Sequence, residues 1–96
     1  MLYEKKLSSF PKLAEELRIL DLDAGIRAIG KYESRKCFVF VTRSANGFTA
    51  AVYGIKSAGK EKLPDKRFMI KEFGSLEELE KFLSGVIAKP IEAYAY

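Results

Sequence analysis

The sequence contains no histidine and no tryptophan, and it has a single cysteine. Without histidine, the base that usually activates a serine or cysteine nucleophile is missing. A zinc site also has little to be built from, because its common ligands are clusters of histidine and cysteine. Cys37 has no partner for an internal disulfide. We therefore expect a protein that is not an enzyme and that needs no metal or cofactor.

The glycines and carboxylates also lack the spacings that phosphate binding or catalysis requires. The seven glycines never fall into a phosphate-loop or dinucleotide fingerprint. Adjacent acidic pairs occur at Glu15-Glu16 and Glu77-Glu78, both within predicted helices. Consecutive helical residues point about 100° apart, so neither pair forms a facing dyad. These carboxylates are predicted to be solvated helix charges.

Long apolar runs are absent as well. No segment approaches the roughly 18 residues that a membrane span needs. The first ten residues, MLYEKKLSSF, lack the apolar stretch of a signal peptide. The 96 residues provide one modest hydrophobic core. We expect a single cytoplasmic domain, residues 1–96, with no membrane contact.

Positive charge is concentrated in the middle of the chain. Residues 26–73 contain eleven lysines and arginines against four acidic residues, although the net charge of the whole chain is only +4. This distribution favours a surface that faces a polyanion. Lysine, arginine and glutamate are plentiful and glutamine is absent, a balance typical of a thermophilic source. A thermophile's mixed charged surface is the alternative explanation of the same residues.

The segment KCFVFVTRSANGFTAAVYGI, residues 36–55, predicts the centre of an antiparallel sheet. Two runs of β-forming residues flank Asn46-Gly47, a pair typical of a two-residue type I′ turn. Counting outward from that turn places Phe40 directly opposite Tyr53, and strand alternation then defines two faces. The first face is small and apolar and consists of Cys37, Val39, Val41, Ala50, Val52 and Gly54. The second consists of Lys36, Phe38, Phe40, Thr42, Thr49, Ala51, Tyr53 and Ile55.

A second tight turn at Glu33-Ser34 joins this hairpin to a preceding strand, residues 26–32. Pairing Tyr32 with Arg35 extends both faces by the same count. The small face gains Ile26, Ala28 and Gly30, and the aromatic face gains Arg27, Ile29 and Lys31. Two independently counted turns thus agree in their sorting of side chains. Because small side chains let helices lie close to the backbone, we expect the helices on the small face.

Helices are predicted before and after these strands. The first begins at Ser9-Phe10-Pro11, and the second begins at a capping box formed by Ser75 and Glu78. Lys89-Pro90 ends the second helix. Residues 1–9 are a short arm or strand-like lead-in without an assigned structure.

The remaining segments complete the predicted fold. Residues 56–66, which combine four lysines with Gly59 and Pro64, are predicted to be an exposed loop. Residues 67–73 form a fourth strand with Phe68 and Ile70 in the core. The predicted fold is α+β: a four-stranded antiparallel meander flanked by an N-terminal and a C-terminal helix, in the order α-β-β-β-β-α.

The aromatic and basic face has the composition of a platform for single-stranded nucleic acid. Aromatic rings stack on bases and cations contact phosphates, and the lysine-rich loop can fold over such a strand. The residues predicted to contact RNA or DNA are Arg27, Ile29, Lys31, Lys36, Phe38, Phe40, Arg43, Tyr53, Lys56, Lys60, Lys62, Lys66 and Arg67. In the alternative arrangement the large aromatics face the helices. The basic residues among them argue against it, because covering charges is costly.

In element order, and in the hairpin KCFVFVTRSANGFTAAVYG followed by a lysine-rich loop and FGSLEELEKFL, residues 8–88 resemble a known group. This is the ThermoDBP-related group of archaeal single-strand nucleic-acid-binding proteins. The resemblance implies a small antiparallel sheet and helices that frame a cleft for single-stranded DNA or RNA, without catalysis and often in a dimer. None of the group's binding residues is matched one by one, so the sites named above rest on strand register.

A second functional class fits the same face. In this alternative, Phe38, Phe40, Tyr53 and Ile55 form the interface of a homodimer, and the protein is an interaction module. The sequence does not choose between RNA and DNA, because the 2′-hydroxyl is recognised by individually placed hydrogen bonds.

Overall fold

The structure is a computed structural model that describes residues 5–22, 24–59, 61–87 and 91–95; of residues 5, 57, 58, 61 and 62 only the backbone is described. Within these residues the chain forms six strands and two helices. They are β1 (Lys5–Leu7), α1 (Phe10–Arg18), β2 (Gly25–Tyr32), β3 (Arg35–Ser44), β4 (Gly47–Ala58), β5 (Glu61–Phe73), α2 (Leu76–Val86) and β6 (Ala93–Ala95).

The strands form one antiparallel sheet in the spatial order β1-β6-β2-β3-β4-β5. The predicted four-stranded meander in the order α-β-β-β-β-α is therefore wrong, since a strand precedes α1 and another follows α2. The chain end returns to pair β6 with β2, and β1 adds to β6 as the outermost strand. Both added strands have three residues, too few to show the alternation by which a strand is recognised.

Both predicted helix starts are confirmed. The Ser9 hydroxyl accepts a hydrogen bond from the Lys12 backbone N–H, and the Ser75 hydroxyl accepts one from that of Glu78. These bonds satisfy N–H groups that have no partner within the helix. Pro11 in the first turn of α1 needs no such bond. The helix α2 ends at Val86, three residues before the predicted Lys89-Pro90 stop.

The register between β2 and β3 is confirmed, with Tyr32 opposite Arg35 and Ala28 opposite Val39. Glu33 and Ser34 have positive φ angles of 49° and 66°, the conformation that a type I′ turn requires at both central residues. The type I′ turn, whose backbone twist matches that of the flanking strands, is therefore at Glu33-Ser34 and not at Asn46-Gly47. The signal in the sequence was strongest elsewhere, at Asn46-Gly47.

The predicted register between β3 and β4 is wrong by two residues. Ser44 pairs with Gly47, so Ala45 and Asn46 form the turn, and Phe40 lies opposite Ala51 instead of Tyr53. Gly47 is needed as the first residue of β4, because its φ is +154° and a Cβ there would collide with the carbonyl oxygen of Phe73. Glycine is required at position 47 because the backbone of Phe73 lies close to it, and not because position 47 is a turn residue.

The sorting of side chains into two faces is confirmed, because a shift by an even number of residues leaves every side chain on its face. We call the face that carries both helices the inner face, and the opposite one the outer face. The buried inner side chains are Leu7, Ile26, Ala28, Cys37, Val39, Val41, Phe48, Ala50, Val52, Phe73 and Ala93. They form one cluster with Leu13 and Leu17 of α1 and Leu79 and Leu83 of α2. The alternative with the aromatic face towards the helices is thus excluded.

The lysine-rich segment was predicted to be a loop and is instead a long hairpin. Strand β4 continues to Ala58 and β5 begins at Glu61, with Gly59 at the turn in a left-handed conformation, φ +65°. Pro64 is tolerated in β5 because β5 is an edge strand, where a missing backbone N–H breaks no bond to a further strand. The polar composition of this segment predicted a loop, but pairing between β4 and β5 stabilises it as two strands.

The placement of Phe68 and Ile70 in the core is also wrong, since these side chains are 38% and 52% exposed. The ladder between β4 and β5 is irregular next to Tyr53, where Val52 pairs with Met69 and Tyr53 with Arg67. Phe68 is the extra residue of this bulge, a device that redirects a side chain. Phe73 takes the core position instead, with its ring centroid 5.2 Å from that of Phe82.

The close approach of α2 to β2 gives a test of the packing. A Cβ on Gly30 would lie 2.6 Å from the Val86 carbonyl oxygen and 3.0 Å from a Val39 methyl carbon. We expect Gly30→Ala to lower the free energy of unfolding by about 1–3 kcal/mol, because backbone must move to admit it. Urea denaturation measures the change.

The matched control is Gly85→Ala in α2, where a Cβ meets nothing within 4 Å. Alanine is favoured over glycine in a helix, so this variant should gain up to about 1 kcal/mol. Equal stability of the two variants would contradict the close packing of α2 on β2.

Candidate nucleic-acid interface

Side chains on the outer face line up in rows that run across the strands. One row contains Lys6 of β1, Tyr94 of β6, Arg27 of β2, Phe40 of β3, Ala51 of β4 and Ile70 of β5, each opposite the next in register. The neighbouring row contains Ile29, Phe38, Tyr53 and Arg67. Adjacent strands are about 4.8 Å apart, so each row brings its side chains into contact distance. Cations and aromatics thus alternate across four of the six strands.

The aromatic residues of β3 and β4 form a continuous cluster on this face. The ring centroids of Phe38 and Phe40 are 5.9 Å apart, and those of Phe40 and Tyr53 are 5.5 Å apart in an edge-to-face contact. Phe40 and Tyr53 are half-buried. Phe38 is only 4% exposed, because Ile29, Tyr53 and Phe40 surround it. Phe38 therefore supports the two accessible rings and does not offer its own to a ligand.

Basic side chains surround this cluster. Lys31 and Lys36 lie opposite each other at the end of β2 and β3, and both are exposed. Arg27 is half-buried, with its guanidinium carbon 5.1 Å from the centroid of the Tyr94 ring. This cation–π contact holds the guanidinium beside the aromatic cluster. Of the predicted site residues, Arg27, Ile29, Lys31, Lys36, Phe40 and Tyr53 thus share one surface.

Two other predicted site residues, Arg43 and Lys56, lie elsewhere. Arg43 belongs to the inner side of β3, where its guanidinium carbon is 4.8 Å from the Phe48 ring centroid, near the end of α1. Lys56 is exposed on the extended part of β4. Lys60 and the side chain of Lys62 lie outside the described residues.

Lys66 and Arg67 line a cleft at the end of the sheet. Arg67 is also the register partner of Tyr53, so it lies where the outer face meets that cleft. The predicted loop, residues 56–66, is therefore divided between β4 and β5. Of its lysines, only Lys66 lies near the other predicted site residues in the described structure, next to Arg67 of the predicted fourth strand.

Three residues of the outer face were missed by the sequence analysis: Lys6, Tyr94 and Ile70. Lys6 and Tyr94 reach this face through β1 and β6, whose three residues give no periodic signal. Ile70 was assigned to the core together with Phe68, but it pairs with Ala51 and therefore lies on the outer face. A tail of alternating aromatic and small residues, IEAYAY, was the one available hint of a strand.

No group of three or more histidine, cysteine or acidic residues among the described residues is placed to hold a metal ion. None of the described helices is long and apolar enough to cross a bilayer. Cys37 is fully buried on the inner face. Burial raises the pKa of its thiol, an effect that a backbone hydrogen bond at Gly30 partly offsets.

Comparisons with protein-family profiles, curated proteins and solved structures gave no match to this chain. The geometry of the outer face and the chemistry of its side chains are therefore the features that bear on function.

The environment of Cys37 predicts an unreactive thiol. Thiolate is the reactive form, and burial both raises the thiol pKa and blocks access. At mildly alkaline pH we expect a chromogenic disulfide reagent to modify the native protein at least about tenfold more slowly than the protein in guanidinium, since access requires opening of the core. Equal rates in the two conditions would contradict the burial of Cys37.

Proposed function

We propose that this protein binds single-stranded nucleic acid, RNA or DNA, on the outer face of its sheet, without catalysis. The observation that carries the proposal is the row Lys6, Tyr94, Arg27 and Phe40, in which cations and aromatic rings alternate across four neighbouring strands. Single-strand binders need both kinds of group side by side, because each nucleotide presents a base to stack and a phosphate to neutralise. The two accessible rings at Phe40 and Tyr53 extend the stacking surface into the next row.

Electrostatics favours a polyanion over an apolar partner. No charged residue is buried among the described residues, so the cations of the outer face keep their charge at the surface. Among the described residues, the acidic side chains that alternation places on this face are Glu72, at the β5 edge, and Glu92, whose backbone carbonyl accepts a hydrogen bond from the Ile29 N–H just before β6. A duplex would hide its bases from the rings, whereas a single strand can turn them towards the sheet.

The homodimer alternative meets a difficulty in symmetry. A two-fold interface buries the same patch from both copies, so Lys31 and Lys36 of the two copies would be brought into one interface. Burying these groups without carboxylate partners is costly. A dimer through another surface remains compatible with the proposal, as the resemblance to the ThermoDBP-related proteins implies. We also propose an archaeal, thermophilic source for the protein. A cytoplasmic location is proposed as well, because a single buried free cysteine is typical of proteins from a reducing compartment.

The accessible rings provide the test. Phe40→Leu and Tyr53→Leu keep an apolar side chain but remove the π-face, and one stacking contact contributes about 1–3 kcal/mol per base. Each variant should remain folded and bind a fluorescent single strand roughly tenfold or more weakly in anisotropy titrations at low salt. Titrations with single-stranded DNA, single-stranded RNA and duplexes of equal length distinguish the ligand classes.

Phe82→Leu is the matched control, because Phe82 is a half-buried aromatic of α2 that packs on Phe73 on the other side of the sheet. It should leave affinity unchanged. Wild-type affinity should also fall with salt at a log–log slope of about −0.7 per phosphate contacted. No binding to any single strand at low salt would refute the proposal, and equal losses in all three variants would refute the outer-face site.

A further inference from the structure

A second candidate site lies at the end of the sheet, on the side of the inner face and beyond the C-terminus of α2. This cleft of about 510 Å³ is lined by Tyr32, Glu33, Arg35, Lys66, Arg67 and Phe68. We call it the end cleft. Its volume falls in the range of about 300–1,000 Å³ that is usual for small-molecule sites. Residues from the β2–β3 turn form one wall and residues from β5 form the other.

Two local features build the end cleft. The bulge in β5 places Phe68 on the same side of the sheet as the inner-face residue Gly54, and Gly54 of β4 leaves room for its ring, since a Cβ there would lie 3.1 Å from the ring's Cζ. The Phe68 ring thus reaches across β4 towards Arg35 of β3, whose guanidinium carbon is 5.8 Å from the ring centroid. The cation–π contact joins the two walls and holds a ring that is still 38% exposed.

The charges in the end cleft point to an anionic ligand with an aromatic part. Arg35, Lys66 and Arg67 provide three cations against the single carboxylate of Glu33. Guanidinium groups bind phosphate oxygens in a bidentate manner, and the exposed part of the Phe68 ring offers a stacking surface. A carboxylate beside these groups can accept hydrogen bonds from the amino group of a nucleobase.

We propose that the end cleft binds one nucleoside phosphate unit, with its base against Phe68 and its phosphate on Arg35 and Lys66. The unit can be a free nucleotide or the terminal nucleotide of a strand. Arg67 favours the second source, because it lines the end cleft and is also opposite Tyr53 on the outer face. The proposal does not depend on strand binding by the outer face, since all the groups that it uses lie in the end cleft.

The probe is adenosine 5′-monophosphate, titrated into isotope-labelled protein and followed by NMR. We expect the amide signals of residues 32–35 and 65–68 to shift together with saturable binding. Phe68→Leu keeps an exposed apolar side chain without the π-face and should weaken binding roughly tenfold, the order of one stacking contact. Arg35→Glu removes the phosphate contact and should abolish saturation.

Two further ligands distinguish the phosphate contact from the stacking contact, and a free nucleotide from the terminal nucleotide of a strand. Inorganic phosphate should bind more weakly than the nucleotide and should be insensitive to Phe68→Leu. A single strand carrying a 5′-phosphate should shift the amides of residues 32–35 as the nucleotide does if the end cleft takes a strand terminus, and an unphosphorylated strand should not. The amides near Arg67 are left out of this comparison because Arg67 also borders the outer face. Binding of the free nucleotide alone assigns the end cleft to free nucleotides.

The control variant is Phe40→Leu on the outer face, which should leave nucleotide binding in the end cleft unchanged. Absence of saturable shifts at millimolar nucleotide would overturn the proposal, as would a loss caused by Phe40→Leu and not by Phe68→Leu. Because Phe40→Leu tests only the outer face and Phe68→Leu only the end cleft, failure of one proposal is distinguishable from failure of the other.

Discussion

The close packing of two helices against one face of the sheet determines the character of the other face. Where α2 ends, the Val86 carbonyl oxygen lies so near β2 that only glycine fits at position 30. The inner positions of the central strands are correspondingly small, among them Ala28, Cys37 and Ala50. Short side chains let the helices bury their leucines against the backbone of the sheet. The larger aromatic residues of the central strands consequently lie mostly on the side that the helices do not occupy.

On the outer face, aromatic rings are stabilised without being fully covered. Phe38 is surrounded by its neighbours and acts as the base of the cluster, while Phe40 and Tyr53 remain accessible above it. Lys31 and Lys36 are exposed beside the rings, where covering their charges would be costly. A flexible polyanion with exposed bases satisfies both requirements at once. This pairing of accessible rings with exposed cations is the basis of the proposal that the outer face binds single-stranded nucleic acid.

The alternation of small apolar and larger side chains along the central strands predicted the two faces of the sheet correctly. It assigned Val39 and Phe40 to opposite faces correctly even though the predicted β3–β4 register was wrong by two residues, because an even shift does not exchange faces. The capping residues Ser9 and Ser75 were equally informative, since a cap is a local hydrogen bond. Features that depend only on neighbouring residues were thus predictable.

Features that depend on contacts with distant parts of the backbone could not be predicted from the sequence. Gly47 resembles a turn glycine in the sequence, but the carbonyl oxygen of Phe73, far along the chain, is what requires it. The strands β1 and β6 exist because they pair with each other and with β2, and their three residues carry no signal of their own. The bulge that exposes Phe68 is likewise a property of the β4–β5 pair. Tyr94 and the end cleft followed from these tertiary features and could not be foreseen.

Isoleucine methyl groups report on the two faces separately, because each side chain lies on one face whereas the backbone amides lie in the plane between the faces. The most direct measurement is therefore an NMR titration of isoleucine-methyl-labelled protein with a single-stranded oligonucleotide. Ile29 and Ile70 lie on the outer face, whereas Ile26 and Ile87 are buried in the core. The account predicts saturable shifts of the Ile29 and Ile70 methyl signals with little change at Ile26 and Ile87. Shifts confined to Ile26 and Ile87, or none at Ile29 and Ile70 under conditions where the strand binds, would contradict it.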